Sequence, residues 1–282
     1  MEERVDSIRS LLQCSACQSP LEHADDDLRC ANCGATFPVV RRIVDLRGSS
    51  APQLQRPFYS IEPYRRFAAA QALLHEQHYR PGGFSNFIED KIKDSLRSLR
   101  EDVGAPVVEI GCGRTPMVDW AANRSDYIGV DQSIELLDSA SADHPSSHFV
   151  CAALNSFPFA SNSIQTIVAN AVLEHVFDLE VVVGQLARCL APNGRLYVVV
   201  PTEGGLAVDV ARLYTSRRNG KLLGMTAAEC RDAQRRDHCN TAYAVENALR
   251  KYFTFEREKL WPLSIGGTHL NLSKAWRLRP LR

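Results

Sequence analysis

From about residue 106 onward the chain alternates short apolar runs with longer segments of helical spacing. Pro106-Val-Val-Glu-Ile110, Tyr127-Ile-Gly-Val130, the run ending at Leu154, Thr166-Ile-Val-Ala169 and Arg195-Leu-Tyr-Val-Val-Val200 each predict a strand buried on both faces. Between the last two, Val182, Val183, Leu186 and Leu190 recur at helical spacing, and Ala191-Pro-Asn-Gly194 predicts a turn. Strand and helix in alternation predict an α/β fold with a doubly wound parallel sheet. Tyr252 to Leu260 and Thr268 to Leu278 predict two closing strands. Upstream, residues 58–78 predict a helix once past Pro63, and Pro81-Gly-Gly83 a break. Phe84, Phe87, Ile88, Ile92, Leu96 and Leu99 then place an apolar stripe against the sheet.

Composition narrows the class. Of 282 residues, 45% are hydrophobic and 23% charged, which excludes a disordered chain, and no apolar stretch is long enough to span a membrane. The N-terminus carries Glu2, Glu3, Arg4 and Asp6 in place of an apolar signal core, so the expected compartment is the cytoplasm. The 33 basic and 33 acidic residues cancel, but residues 205–282 hold 15 basic and 7 acidic side chains, a net +8. Such a basic third is compatible with an anionic substrate or polyanion, and equally with a solvated helical surface.

Four of nine cysteines form a pattern. Cys14 and Cys17 enclose two residues, as do Cys30 and Cys33, with twelve between the pairs. Two such knuckles can close a tetrahedral four-sulfur site suited to zinc, with iron as the chemical runner-up. Four protein ligands leave no open position, so the metal is expected to be structural. With Thr36-Phe-Pro-Val-Val-Arg-Arg-Ile-Val-Asp-Leu46 after them, the knuckles resemble the short zinc-ribbon family that includes activator subunits of tRNA methyltransferases. Here both knuckle prolines are missing, and Arg42 stands where glycine is usual. The expected organisation is a ribbon over 1–48, a linker and helical cap over 49–104, with Gly48 to Pro52 as linker, and a catalytic domain over 105–282.

The first strand of that domain runs into Gly111-Cys-Gly113-Arg-Thr-Pro116, and the second ends at Asp131, eighteen residues after Gly113. Glycines let a ligand approach the backbone, and an acidic residue there can accept from both ribose hydroxyls. Pro116 cannot serve as the third glycine of a dinucleotide loop. Glu109, two places before Gly111, would repel a pyrophosphate but suits a cationic ligand with an amino-acid tail, such as S-adenosylmethionine.

The residues V-V-E-I-G-C-G resemble the first motif of class I S-adenosylmethionine-dependent methyltransferases. Phe157-Pro-Phe-Ala-Ser-Asn-Ser-Ile164, Val172-Leu-Glu-His-Val176 and the segment through Pro201 resemble its later elements, in order. Thr115 replaces a loop glycine and Gln165 a common aspartate. The resemblance implies a cofactor site of Glu109, Gly111, Gly113, Asp131, Gln132, Leu154, Asn155 and Asn170. It brings His175, with Glu174, forward as the candidate base, unless these are scaffold residues. Some relatives hold magnesium through E-x-x-E-H; Ala171 removes the first carboxylate, so no catalytic metal is expected. Glu203, His238 and Asn240 are expected on the acceptor side. The favoured acceptor is a small metabolite, natural-product or sugar intermediate. RNA, which several ribbon-bearing enzymes modify, is the alternative, and a non-catalytic binding protein a third.

Overall fold

The computed structural model describes residues 2–48, 60–70, 84–101 and 103–281. The expected linker beyond Gly48, the break at 81–83 and residues 58–59 and 71–78 of the expected helix lie outside the described residues. Of that helix, α2 (Tyr64–Ala69) is described and starts directly after Pro63. No helix among the described residues is long and apolar enough to cross a membrane.

The chain opens with α1 (Glu2–Arg9) and a three-stranded sheet of β1 (Leu21–Ala24), β2 (Asp27–Cys30) and β3 (Thr36–Phe37). A short hairpin follows, β4 (Val39–Val40) and β5 (Ile43–Asp45), then the helix α3 (Phe84–Arg97). The central strands are β6 (Val107–Ile110), β7 (Tyr127–Asp131), β8 (His148–Cys151), β9 (Ile164–Asn170) and β10 (Leu190–Pro201). Helices α4 (Ile134–Asp143) and α5 (Leu179–Cys189) connect them. After β10 come α6 (Leu206–Leu223), α7 (Ala227–Asp237), α8 (Ala242–Arg250), β11 (Phe253–Trp261) and β12 (Ser273–Pro280).

The nine-stranded sheet has the order β11-β12-β10-β9-β6-β7-β8-β5-β4. It is parallel from β10 through β5, and β12 returns antiparallel on β10. Strand order reverses between β6 and β9, so their carboxyl ends open a crevice, the usual ligand position in such sheets. Alternation within strands divides the core. Val108, Ile110, Ile128, Ile167 and Val198 face the layer of α5 and α8, whereas Val107, Tyr127, Phe149, Val168 and Val199 face Leu96, Leu99, Trp120 and Leu137. The expected stripe on α3 thus holds at its C-terminal end, while Phe87 lies exposed.

The N-terminal segment is continuous with this sheet. β5 adds in parallel to β8, pairing Ile43 with Phe149 and Asp45 with Cys151. Val5, Ile8, Leu12, Leu28 and Phe37 share one apolar cluster with Val108, Phe157 and Phe159, and the Gln13 N–H donates to the Pro158 carbonyl at 2.9 Å.

Two expected boundaries move. The turn at Ala191–Gly194 is an irregularity inside β10: Leu190 pairs with Ile164 and Arg195 with Thr166, so five residues advance against two. A Cβ on Gly194 would lie 2.8 Å from the Gln165 carbonyl, which requires glycine. Residues 268–270, expected in the last strand, belong to a 3₁₀ turn over Gly267–Leu270. The buried Asn271 side chain holds that connection, accepting from the Leu263 N–H at 2.6 Å and donating to the Ile265 and Gly267 carbonyls at 3.0 and 2.7 Å.

Candidate active site

The loop after β6 turns on two left-handed glycines, Gly111 at φ 62° and Gly113 at φ 54°. They differ in kind. A Cβ on Gly111 would lie 2.5 Å from Val172 Cγ2, whereas a Cβ on Gly113 would meet no atom within 4 Å. Gly111 therefore serves packing, and Gly113 faces the open crevice. Asp131 ties the loop to the end of β7, accepting from the Gly113 N–H at 3.0 Å and the Ser133 N–H at 2.9 Å. Glu109 lies beneath, buried, accepting from the Met117 N–H at 2.7 Å and from the Tyr127 hydroxyl. Burial pushes its carboxyl up to about 7 against these two hydrogen bonds. The oxygen taken by Met117 and Tyr127 thus braces the loop, a role that Tyr127 reveals only in three dimensions.

On the other side of Asp131, Gln132 is exposed, and its carbonyl accepts from Arg47 at 3.3 Å and from the Cys151 thiol at 3.5 Å. Arg47 is itself held by both carboxylate oxygens of Asp45 at the end of β5. Leu154 and Asn155 follow β8 in a short 3₁₀ turn, half-buried and exposed respectively. The expected cofactor residues thus converge on the carboxyl ends of β6, β7 and β8. Asn170, at the end of β9, keeps its Oδ1 buried with no hydrogen-bond partner among the described residues.

Across the crevice stands a cluster of charged and titratable groups. His175 Nδ1 lies 3.1 Å from Asp237 Oδ2 and its Nε2 4.0 Å from Glu174 Oε1. The His175 and His238 rings meet edge to face at 4.5 Å. His238 Nδ1 lies 2.6 Å from Glu203 Oε1, which also receives the buried Arg212 guanidinium. His238 and Arg212 together hold the Glu203 carboxyl below its usual range although burial opposes them. Burial, followed by the neighbouring His175, lowers His238. Glu174 is fully buried, and burial lifts it to about 7. Asn240 belongs to the scaffold: its amide donates to the Leu173 carbonyl at 2.9 Å and the Val176 carbonyl at 2.5 Å, securing the turn that carries Glu174 and His175. Arg212 and Asp237 complete the cluster without having been assigned roles from sequence. The available signal was the polar series Arg212, Ser216 and Asn219 on one helix face, which is the buried one.

His175, Asp237 and His238 lie close enough to share an ion. The Arg212 guanidinium, 3.2 Å from His238 Nδ1, already supplies positive charge there and disfavours a second cation. The second cluster is Cys14, Cys17, Cys30 and Cys33. Its sulfurs stand 3.7 Å apart across Cys14 and Cys33 and 3.4 Å across Cys17 and Cys30, near the roughly 3.8 Å edge of a tetrahedron with Zn–S bonds of about 2.3 Å. The Asn32 and Cys33 N–H groups both donate to Cys30 Sγ at 3.4 Å. This donor set fits zinc.

Residues 108–198 match the family model of a methyltransferase domain. Over 195 residues the chain is 28% identical to the biotin biosynthesis bifunctional protein BioHC of Cellvibrio japonicus, covering 62% of this chain and 38% of that protein. It is 31% identical over 112 residues to trans-aconitate 2-methyltransferase of an Azoarcus species, covering 39% and 44%. The chain thus spans less than half the length of these curated relatives. Among solved structures, one from Thermotoga maritima, described as an S-adenosylmethionine-dependent methyltransferase and possible histamine N-methyltransferase, superposes with a TM-score of 0.52 at 16% identity, covering 77% of this chain and 97% of that one. A Pyrococcus horikoshii protein gives 0.51 at 13% identity, with 80% and 100% covered. These structures show the fold, an α/β Rossmann-like sheet of the methyltransferase type. The family match lies within this sheet, from β6 into β10.

Two predictions follow from this geometry. Gly113→Ala should leave the melting temperature nearly unchanged, apart from about 1 kcal/mol of left-handed strain, while weakening S-adenosylmethionine binding tenfold or more. Gly111→Ala should destabilise the fold by a further roughly 1–3 kcal/mol through its clash with Val172. Calorimetric titration and melting of both variants check the assignment, and equal effects on both would refute it. The second concerns pH. Glu109 and Glu174 bind their protons more tightly when folded, since burial raises both from 4.5 to about 7. Stability contributed by either group is therefore present at low pH and lost as pH rises through that window, by about 1.4 kcal/mol per pH unit each. Glu174→Gln should remove about 1.4 kcal/mol per pH unit of falling stability from urea titrations between about pH 5 and about pH 7, and an unaltered slope would contradict it.

Proposed function

We propose that the chain transfers a methyl group from S-adenosylmethionine to a heteroatom of a small-molecule acceptor: a metabolite, or a natural-product or sugar intermediate. The observation that carries this reading is the cluster of half-buried His175, Asp237 and His238, backed by buried Glu203 and Arg212, facing the glycine loop across the crevice between β6 and β9. The printed activity of the trans-aconitate relative supports a small acceptor.

When bound, S-adenosylmethionine supplies an electrophilic methyl group on its sulfonium. Asp131 would hold the ribose hydroxyls, Gly113 would leave room for the amino-acid tail, Leu154, Asn155 and Gln132 would lie toward the adenine, and Asn170 Oδ1, buried without a partner among the described residues, would accept from the ammonium. Glu109 keeps the loop in place. On the acceptor side Asp237 orients His175 by accepting from Nδ1–H, so a proton leaving the acceptor heteroatom arrives at Nε2. The resulting imidazolium lies between Asp237 and Glu174, and both carboxyl groups stabilise it. Glu203, neutralised by Arg212, orients His238 against the His175 ring.

Purified chain and cell extract should be incubated with S-adenosylmethionine labelled on its methyl group. Label in small soluble organic material is the expected result; label in ribonuclease-sensitive precipitate would replace this reading with RNA modification. With the acceptor in hand, His175→Asn should lower kcat by about 10²–10⁴ with unchanged cofactor affinity.

We further propose one structural zinc at Cys14, Cys17, Cys30 and Cys33, and a cytoplasmic chain whose thiols stay reduced. Burial pushes the Cys14 thiol up to about 12, while hydrogen bonds from Ser19 draw Cys17 down to about 6, and a divalent ion would make all four thiolates. Because ribbon and sheet share one core, removing zinc should lower the melting temperature of the whole chain in a single transition. Separate melting of the first fifty residues, or absence of zinc from the purified protein, would refute this.

A further inference from the structure

Helix α6 is built inside out. Its buried face carries Val208, Arg212, Ser216, Asn219 and Gly220. Arg212 reaches Glu203, Ser216 donates to Gln234 at 2.9 Å, and a Cβ on Gly220 would lie 2.8 Å from the Met225 carbonyl. The opposite face presents Leu206, Val210, Leu213 and Tyr214 to solvent, at 62%, 59%, 43% and 61% exposure. These occupy i, i+4, i+7 and i+8, and the same stripe continues into Arg217 and Lys221. Soluble monomers rarely leave a contiguous aliphatic face uncovered.

Two neighbouring features extend this face. Gly205, at the helix start, packs on the Thr268 carbonyl, where even a Cβ would come within 2.4 Å. The β11–β12 connection therefore lies beside α6, and it exposes Leu263, Ile265 and Leu270, with Ile265 at 74%. On the other flank, Leu206, Asp209, Val210, Leu213, Arg231 and Arg235 line a groove of about 270 Å³. Its carboxylate, Asp209, is paired with Arg235 at 2.9 Å. Arg217, Arg218, Lys221 and Arg231 have no ion-pair partner among the described residues. The surface is thus aliphatic at its centre, with one interfacial tyrosine and a margin of uncompensated positive charge.

We propose that this face binds the surface of an anionic lipid bilayer. Exposed aliphatic side chains on a helix and an adjoining loop can enter the headgroup–acyl boundary, and unpaired Lys and Arg beside them draw the face toward anionic lipid. Charge complementarity selects this occupant over a neutral membrane. The aliphatic majority, with Tyr214 the single aromatic on the stripe, selects it over RNA, which is held by successive aromatic stacking platforms beside the cations. Glu203 lies three residues before Leu206, so the bilayer would meet the molecule beside the acceptor side of the crevice. The inference rests on α6 and its neighbours and stands apart from the choice of acceptor.

The full chain should be co-sedimented with vesicles of phosphatidylcholine alone and with vesicles in which about one third of the lipid is phosphatidylglycerol. At least tenfold tighter binding to the anionic vesicles is expected, weakening as salt is raised. Leu213→Asp should abolish binding. The double variant Arg217→Glu with Lys221→Glu should reduce it tenfold or more. All three positions are exposed, and unchanged melting curves will establish that the variants fold. The proposal is overturned if wild type sediments with neither vesicle, or if both variants bind like wild type. It is equally overturned if the face proves to bind RNA or a second copy of the chain, seen as RNA retention or a Leu213-dependent dimer without vesicle binding.

Discussion

The buried Glu109 carboxyl is the constraint on which the crevice depends. It lies at the end of β6 and holds the Met117 N–H on the far side of the loop and the Tyr127 hydroxyl at the start of β7. Those bonds fix the path between Gly111 and Met117, and so the place of the Gly113 N–H that Asp131 accepts. A carboxyl in that position is costly to ionise, which is why burial raises it to about 7 despite two donors. Replacing it with an apolar residue would leave both donors unmet, and the loop would lose its floor.

The N-terminal segment extends the same logic to the sheet edge. An exposed β8 would offer unpaired backbone groups beside the cofactor side. β5 covers that edge in parallel register, and the Asp45–Arg47 pair reaches the Gln132 carbonyl next to Asp131. The N-terminal segment is therefore part of the architecture around the candidate cofactor site, and its apolar residues belong to the main core.

The cluster around Glu203 follows a different rule. Arg212 and Glu203 are polar groups taken out of water, with His238 half-buried beside them, and each is satisfied by another member of the cluster. α6 accordingly turns its polar face inward to supply Arg212 and Ser216, which leaves its aliphatic residues outside. A helix normally buries its apolar stripe. Here the demand for a buried cation beside Glu203 outweighs that preference, and the exposed face follows from it.

Much of this was legible in the chain itself. Apolar runs of strand length alternating with helical spacing specified the doubly wound sheet, because a strand buried on both faces needs side chains apolar at successive positions, as in Val107–Val108 and Val198–Val199. The knuckle spacing specified a four-sulfur cluster, and Gly111, Gly113 and Asp131 the loop, since these depend on local backbone geometry. Tertiary structure alone decided what depends on residues distant in sequence. It joined β5 to β8, brought Asp237 and His238 to His175 across more than sixty positions, assigned Asn240 to the scaffold, and turned α6 inside out. Periodicity reports which residues share a face, but only the neighbours against which that face packs determine whether it is buried.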